Sequence, residues 1–151
     1  MPNPRRMRLI FPQEGVSAIA ALLESDAPRT CQAIWSRLPF EGALEHGQWS
    51  GPETYLPIDP AIRIPPEHQS FHTIPGDIGY YALTGGVMVG WPSDMAELAF
   101  FYDRGARPSM IDGPVPMNLF ARIVDNLDGF ADVSRRIRRE GIKPFRVEKT
   151  D

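Results

Sequence analysis

The sequence predicts a mainly β protein in which about eight short strands form a closed barrel, accompanied by two α-helices. Short runs with alternating apolar and polar residues recur along the chain and are separated by connections rich in glycine and proline. Only two segments, one early and one late, place apolar residues at helical spacing. Strands in this number commonly close on themselves, because closure removes exposed sheet edges.

The size and composition indicate one globular domain spanning residues 1–151. The chain is 42% hydrophobic and 23% charged, which suits a soluble protein with a sizeable core. No apolar run approaches the roughly 18 residues that a membrane-spanning helix needs, and the N-terminus lacks the apolar segment of a signal peptide. Cys31 is the single cysteine, which suits a reducing compartment. We therefore expect a cytoplasmic protein without a membrane partner.

Charge is distributed unevenly along the chain. Residues 1–8 and 135–151 together carry a net charge of +7, and the remainder carries −10. A nucleic-acid surface would need several aromatic residues interleaved with this basic run for base stacking, and residues 1–8 and 135–151 contain only Phe145. Arginines at the end of a helix instead favour the negative pole of its dipole. We expect a solvated helix end and no nucleic-acid partner.

The first elements are two strands and a helix. Residues 7–11 alternate as a strand does, and residues 16–23 are apolar on both faces, as expected of a strand lining a barrel. Asp26 is a suitable N-cap for the helix that follows, Pro28 suits its first turn, and Pro39 ends it. The apolar face of this helix comprises Cys31, Ile34, Trp35 and Leu38.

The remaining elements follow the same reasoning. Prolines throughout residues 59–75 forbid regular central strands there and predict a long irregular excursion. The second helix begins after Asn126 and ends before Gly141. Further strands are predicted at residues 43–49, 54–58, 78–83, 87–91, 98–102, 119–124 and 145–148.

A glycine-rich stretch, PGDIGYYALTGGVMVGW at residues 75–91, raises the question of a nucleotide cofactor. Dinucleotide binding requires G-x-G-x-x-G between a strand and a helix, and a P-loop requires a lysine after its glycines. Neither pattern occurs here. We interpret the glycines as serving two adjacent strands and their connections, where backbones approach closely, and we predict no cofactor.

Two motifs carry a resemblance to a known family. Asp26-Ala27-Pro28-Arg29-Thr30, between a strand and a helix, is similar to the opening of cyclophilins. PGDIGYYALTGG followed by AELAFFYDRG resembles the paired barrel strands of the same fold. The chain looks closest to small bacterial cyclophilin-like proteins of unknown function, which carry a Gly-Asp-Ile-Gly-Tyr stretch. The resemblance spans most of residues 5–148 and implies a closed cyclophilin-like β-barrel.

The resemblance does not extend to prolyl-isomerase chemistry. Cyclophilin isomerases resemble one another in a Phe-His-Arg strand whose guanidinium hydrogen-bonds near the prolyl nitrogen. Here Phe71-His72-Thr73 has threonine in place of that arginine, and residues 52–56, at the expected place, contain no arginine either. The Gln-Phe-Phe element of the isomerases becomes Ala99-Phe100-Phe101. Peptidyl-prolyl isomerase is therefore the least favoured of the functions considered.

Residues 44–53, LEHGQWSGPE, are the most function-like segment. His46 titrates near neutrality and Glu53 follows seven residues later, so both are candidate catalytic acid–base residues. Arg104 offers paired hydrogen bonds to a carboxylate ligand. The alternative places His46 in a surface turn and Trp49 as a cap on the barrel. The candidate ligand-binding residues are Trp49, Ser50, Tyr55, Tyr81, Glu97 and Arg104.

A metal site is not predicted. His68 and His72 are four residues apart, a spacing that places both on one face only if the segment is helical. Pro65, Pro66 and Pro75 leave little room for a helix.

Two functional hypotheses follow. The first is a binding module that holds a small polar or carboxylated metabolite in a pocket at the barrel mouth. The second is an enzyme, a hydrolase or isomerase of a small metabolite, that uses His46 or Glu53 as general acid or base. A homo-oligomer formed through Trp91-Pro92 and residues 59–75 is a further hypothesis.

Overall fold

The computed structural model describes residues 3–150, and across them it contains eleven strands and two helices. The helices are α1 (Pro28–Trp35) and α2 (Leu127–Glu140). The strands are β1 (Arg6–Phe11), β2 (Val16–Leu22), β3 (Phe40–His46), β4 (Glu53–Ile58), β5 (Gln69–Ser70), β6 (Asp77–Leu83), β7 (Met95–Phe101), β8 (Ser109–Met110), β9 (Gly113–Pro114), β10 (Met117–Asp125) and β11 (Lys143–Lys149).

Eight of these strands form a closed antiparallel barrel. Their order is β2-β1-β11-β3-β4-β7-β6-β10, and pairing of β10 with β2 completes the circle. The two-residue strand β5 adds to β10, while β8 and β9 form a separate small hairpin. The predicted fold class, a closed barrel of about eight strands with two helices, is confirmed.

The barrel interior is a single apolar core centred on aromatic rings. Phe11 lies 4.8 Å from Phe145 between ring centroids, and Phe100 lies 5.4 Å from Phe145. Helix α2 adds Phe130, whose ring is 5.5 Å from that of Phe100. All four side chains are at most 2% exposed. Tilted and edge-on rings at these distances add to the hydrophobic stabilisation of the core.

The ends of the helices were only partly predicted. Asn126 caps α2 by accepting a hydrogen bond from the Gly129 N–H at 3.2 Å, as expected. The predicted cap of α1 at Asp26 is wrong, because Ala27 occupies the cap position. Glu67 of the proline-rich excursion instead accepts hydrogen bonds from the first-turn N–H groups of α1, at 2.8 Å from Thr30. Glu67, which is distant in sequence, thus accepts the hydrogen bonds that were expected to go to Asp26.

The glycine-rich stretch is a strand followed by a long loop. Residues 87–91, predicted as a strand, form turns between β6 and β7, so this prediction is wrong. Gly86 and Gly90 have φ of 84° and 85°, which glycine adopts readily. Val87 and Val89 are 74% and 83% exposed. The strand prediction is wrong because it took these apolar residues as evidence of burial.

The basic residues near the C-terminus engage acidic neighbours. Arg136 lies 2.6 Å from Glu14 and 2.7 Å from Glu140. Lys143 lies 2.7 Å from Glu140 and 3.4 Å from Glu14. These partly exposed pairs connect the end of α2 to the β1–β2 turn, and pairs near the surface each contribute little to stability. Neither helix among residues 3–150 is long and apolar enough to cross a membrane.

Candidate functional site

The candidate site lies on the outer face of the barrel wall formed by β4 and β7. Leu56 and Leu98 are cross-strand partners whose side chains belong to the interior core. Side chains alternate along a strand, so Tyr55 and Glu97 project from the opposite face. Residues of this outer face form a second buried cluster, separate from the interior, that includes Phe101. The expected pocket at the barrel mouth is therefore replaced by one on the outer wall.

This outer face contains a cavity of about 90 Å³. That volume is close to the share of three water molecules, and smaller than the ~150 Å³ cavity known to hold benzene. It suits one small group of a ligand. Its walls come from β4 and β7, from β8 and the first residue of β10, and from the loops that cover the two strands. The lining residues are Gly47, Gln48, Trp49, Glu53, Tyr55, Trp91, Met95, Glu97, Ser109, Met110 and Met117.

The covering loops are fastened to each other by Ser50. Its hydroxyl accepts a hydrogen bond from the Ser109 N–H at 2.9 Å and donates one to the Ser109 carbonyl at 3.2 Å. The Ser50 carbonyl accepts from the Arg107 N–H at 2.9 Å. Gly51 has φ of 73°, and a Cβ there would lie 3.1 Å from the Gly105 carbonyl oxygen. The loops meet closely because glycine stands at this position.

Two buried carboxyl groups, Glu53 and Glu97, form the polar part of the cavity and are called the carboxyl pair below. Glu53 is 4% exposed and Glu97 is 5% exposed. Glu53 is opposite Phe101 and Glu97 is opposite Pro57 in the strand register, so the two side chains approach the cavity from opposite ends.

Burial governs the protonation of the carboxyl pair. It raises the pKa of Glu53 to about 8, against the opposing effect of the nearby Ser50 hydroxyl. Burial also raises the pKa of Glu97 well above its ordinary range, and the negative charges of Glu53 and Glu45 raise it further. Among the hydrogen bonds of residues 3–150, none involves the Glu97 carboxyl group. Near neutral pH the pair therefore holds its protons.

Two tyrosines complete the polar surroundings. Burial raises the pKa of Tyr55 to about 12, with contributions from the charges of Glu45 and Glu97. Tyr81 is the cross-strand partner of Glu97 on β6, and its pKa is raised by burial and then by the Glu97 charge. Both phenols keep their protons at physiological pH and offer hydrogen-bond donors.

His46 is not part of this arrangement. It is paired in register with Thr54, the neighbour of Glu53, and so belongs to the opposite face of the wall. Its Nε2 is 2.7 Å from the Tyr102 hydroxyl and its Nδ1 is 2.8 Å from the Gly47 carbonyl oxygen. Burial lowers its pKa, and the Arg138 charge lowers it further. The structure does not bring His46 and Glu53 together as an acid–base pair.

The other predicted residues divide into three groups. Trp49, Tyr55 and Glu97 line the cavity, as Glu53 does. Ser50 secures the covering loops, and Tyr81 adjoins Glu97. Arg104 is exposed and is not among the lining residues, where neither arginine nor lysine occurs.

Sequence reasoning missed half of the wall. The missed residues are Trp91, Met95, Ser109, Met110 and Met117. Trp91 lies in the segment wrongly predicted as a strand, Ser109 and Met110 lie in a connection predicted to be irregular, and Met95 and Met117 are the first residues of β7 and β10. The sequence did offer one signal for these residues, because tryptophan and methionine side chains are usually buried and here they occur in connections rich in glycine and proline.

No metal site emerges from the part of the chain that is described. Within residues 3–150 no group of three or more His, Cys, Asp and Glu side chains is arranged to hold an ion. His68 accordingly has a structural contact, with its Nδ1 lying 2.8 Å from the Leu119 carbonyl oxygen.

Two solved structures share this fold. One is described as McbB in complex with tryptophan, with 16% identity and a TM-score of 0.73, and the alignment covers 95% of this chain and 44% of that one. This chain therefore spans less than half the length of that neighbour. The other is the hypothetical protein AF2241 from Archaeoglobus fulgidus, with 20% identity, a TM-score of 0.59, and coverage of 99% of this chain and 98% of that one. Identities this low establish similarity of fold alone.

Sequence comparison assigns a family without an activity. No curated protein matches this chain. The model of a family described as "Protein of unknown function (DUF3830)" matches residues 9–149, which is nearly the whole chain. The chain belongs to the DUF3830 family.

Proposed function

We propose that this protein binds a small molecule in the cavity on the outer face of its barrel, with the carboxyl pair as the polar end of the site. The observation that carries the proposal is the presence of two carboxyl groups, each at most 5% exposed, in the wall of one cavity. The cyclophilin-like assignment is part of this proposal and is supported by the closed barrel with two helices.

Burying these carboxyl groups lowers the stability of the fold, and a function for them would explain why they are present. Removing a carboxyl from water is unfavourable, and proteins that fold without such a group gain stability. Strongly shifted carboxyls in a cavity are therefore candidates for a functional site. The inner face of the same two strands contains no carboxyl group at the matching positions, which are occupied by side chains such as Leu56 and Leu98.

The lining favours a polar ligand over a carboxylated one. Arg104, the expected partner of a ligand carboxylate, is exposed and outside the cavity. The structure of a neighbour in complex with tryptophan supports the idea that this fold can hold a small molecule.

A thermal-shift screen of small polar molecules tests the proposal. Met95→Trp fills the cavity, because Met95 is one of its lining residues. Val87→Trp is the matched control, since it places the same indole on an exposed loop position. A ligand of the cavity raises the melting temperature of the wild type and of Val87→Trp but not of Met95→Trp. A shift that persists in Met95→Trp would show that the ligand binds elsewhere.

An enzyme that uses the same cavity is the second candidate. The raised pKa of Glu53, about 8, makes this group a general acid that is protonated near neutrality and able to release its proton. A hydrolase or isomerase of a small metabolite would use it in this way. Turnover of a ligand found in the screen should fall at least 100-fold in Glu53→Gln and stay at the wild-type rate in Glu41→Gln, a surface position. Turnover that survives in both Glu53→Gln and Glu97→Gln would exclude this candidate.

A further inference from the structure

We infer that the cavity selects an organic cation, a compact amine carried on a single ring or short apolar body, whose ammonium group is held at Glu97. This inference rests on the proposed function of the cavity as a small-molecule site. Three observations support it. The titratable groups around the cavity are acids, the Glu97 carboxyl group can still accept hydrogen bonds, and the other walls are aromatic and apolar.

Every titratable group facing the site is an acid. The wall contributes Glu53 and Tyr55 from β4 and Glu97 from β7. Glu45 from β3 and Tyr81 from β6 approach from the sides. The described loops that close the cavity contribute no arginine or lysine to its lining. A bound cation is attracted by the ionised form of any of these acids, whereas an anion would be repelled by it.

Glu97 has hydrogen-bonding capacity that the protein leaves unused. It is 95% buried, it lines the cavity, and it accepts no hydrogen bond from the described residues. Glu53, by contrast, has the Ser50 hydroxyl beside it, which acts to lower its pKa. An ammonium group presents up to three N–H donors, and its hydrogen bonds to a carboxylate are among the strongest in proteins. The geometry thus directs a donor-rich cation to Glu97.

The remaining walls suit the body of such a ligand. Trp49, Trp91 and Tyr55 supply aromatic surface, which attracts cations through the ring quadrupole as well as through apolar contact. Met95, Met110 and Met117 supply flexible apolar surface that adapts to a ligand. The volume of about 90 Å³ limits the buried part to the ammonium group and the few atoms next to it, so that a ring would lie at the cavity opening.

Binding of a cation releases a proton from the carboxyl pair. The pair is protonated near neutral pH because burial disfavours its ionised form. A bound ammonium stabilises the carboxylate, so one O–H bond breaks, the electron pair stays on the carboxyl oxygen, and the proton passes to the solvent. Affinity should therefore rise with pH, by up to about tenfold per pH unit below the pKa of the ionising group.

Three probes with the same ring separate charge from shape. Benzylamine is a cation, benzyl alcohol is neutral and benzoate is an anion. Isothermal titration calorimetry of the full chain at about pH 6, 7 and 8 should give the order benzylamine, then benzyl alcohol, then benzoate. Benzylamine alone should bind more tightly as the pH rises, and its binding enthalpy should depend on the ionisation enthalpy of the buffer, because a proton is released.

Isosteric variants locate the contact. Glu97→Gln keeps the shape of the side chain and removes its charge, so benzylamine should lose at least tenfold in affinity and its pH dependence should weaken. Benzyl alcohol should bind this variant as it binds the wild type. Glu41→Gln removes a negative charge from β3 at an exposed position outside the cavity and should match the wild type. Melting temperatures confirm that each variant is folded.

The outcomes distinguish this inference from the proposed function. If benzyl alcohol binds in the cavity and benzylamine binds no better, the cavity is a binding site and the selection of a cation is wrong. Benzylamine binding that is unchanged in Glu97→Gln also overturns the inference. If none of the three probes binds, and Met95→Trp behaves as the wild type throughout the screen, both the proposed function and the inference fail.

Discussion

The two faces of the β4–β7 strand pair differ in chemistry although both are buried. On the inner face Leu56, Leu98 and Phe100 belong to the apolar core, and the buried Thr54 hydroxyl is paired with that of Ser134 at 3.3 Å. On the outer face Glu53 and Glu97 are almost equally inaccessible but lie in the wall of a cavity. The same strands therefore contribute to a packed core on one side and place two buried carboxyl groups on the other, and alternation of side chains along a strand makes this division possible.

The difference predicts opposite signs for substitutions on the two faces. An inner side chain contributes the free energy of burying its apolar surface, about 25 cal/mol for each Å². An outer carboxyl group opposes folding, because it must give up either its hydration or its ionisation. Removing an inner apolar side chain should destabilise the barrel, and neutralising an outer carboxyl group should stabilise it.

The largest effect is expected from Phe100→Ala on the inner face. The side chain is completely buried and its ring lies 5.4 Å from Phe145 and 5.5 Å from Phe130. Its loss leaves a cavity among rings that cannot collapse, so the free energy of unfolding should fall by about 3–5 kcal/mol. Urea denaturation measures the change. Phe71→Ala, at a partly exposed position outside the core, should cost far less, and equal losses would contradict the contrast between these sites.

The next effect, of opposite sign, is expected from Glu97→Gln on the outer face. A carboxyl whose pKa is raised in the folded state stabilises the fold at low pH, and this contribution is lost as pH rises. For Glu53 the window runs from the ordinary pKa of 4.5 to about 8. The wild type should therefore lose stability across this range for both carboxyls. Glu97→Gln should lose less and should be more stable than the wild type near pH 8 by about 1–3 kcal/mol.

Urea denaturation at about pH 5 and about pH 8 measures this slope. Glu41→Gln is the control, because it removes the same charge from an exposed position of β3. A parallel pH dependence in Glu97→Gln and the wild type would show that Glu97 is ionised in the folded protein, in contradiction to its burial.

A smaller loss is expected from Gly51→Ala, which disturbs the cover of the outer face without touching either cluster. Gly51 has φ of 73°, and its added Cβ would lie 3.1 Å from the Gly105 carbonyl oxygen. Backbone strain and crowding together should cost about 1–2 kcal/mol and should weaken any ligand-induced thermal shift. Gly105→Ala separates the two causes, since φ there is 81° but no atom lies within 4 Å of its Cβ. Equal costs would leave strain as the sole cause.

The sequence predicted the inner face better than the outer one, for a physical reason. Alternation in residues 7–11 and the helical spacing after Asn126 report burial in one core, and both elements are confirmed. The closed barrel followed from the number of strands. The strand predicted at residues 87–91 is wrong because its apolar valines are exposed and not part of a core. The predicted N-cap of α1 is wrong because the residue that accepts the hydrogen bonds, Glu67, is distant in sequence. Local patterns do not encode such long-range contacts.

The candidate site was only half predicted for the same reason. Glu53 and Glu97 were singled out by residue type, but no pattern showed that both would be buried in one cavity. His46 was grouped with Glu53 because they are close in sequence. The strand register separates them, because His46 is opposite Thr54 and neighbouring residues of a strand face opposite ways. Pairing between strands decides this site, and it is not visible in one segment.

A loss of about 1 kcal/mol is expected from removing the His46–Tyr102 hydrogen bond at the inner end of the wall. Tyr102→Phe deletes the hydroxyl that lies 2.7 Å from His46 Nε2 and keeps the ring. A double-mutant cycle with His46→Ala measures the coupling of the two side chains by denaturation. Because burial lowers the pKa of His46, the unfolded chain takes up the proton first as pH falls below about 6.5, and stability declines there.

His46→Ala should flatten that decline. It should also leave the ligand response of the cavity unchanged, because the imidazole faces the interior side of the wall. A loss of ligand binding in His46→Ala equal to that in Glu97→Gln would show that the two faces act together after all.

The smallest effect is expected from Arg104→Ala, which tests the boundary of the outer site. The side chain is exposed, and the backbone N–H of Arg104 donates to the Asp103 carboxylate at 2.7 Å, a bond that alanine retains. Stability should change by less than about 0.5 kcal/mol, and the affinity for benzylamine should stay within twofold of the wild type. Benzoate provides the sharper measurement. If its binding depended on Arg104, a carboxylate would reach this guanidinium, and the site would extend beyond the cavity walls that Glu53 and Glu97 define.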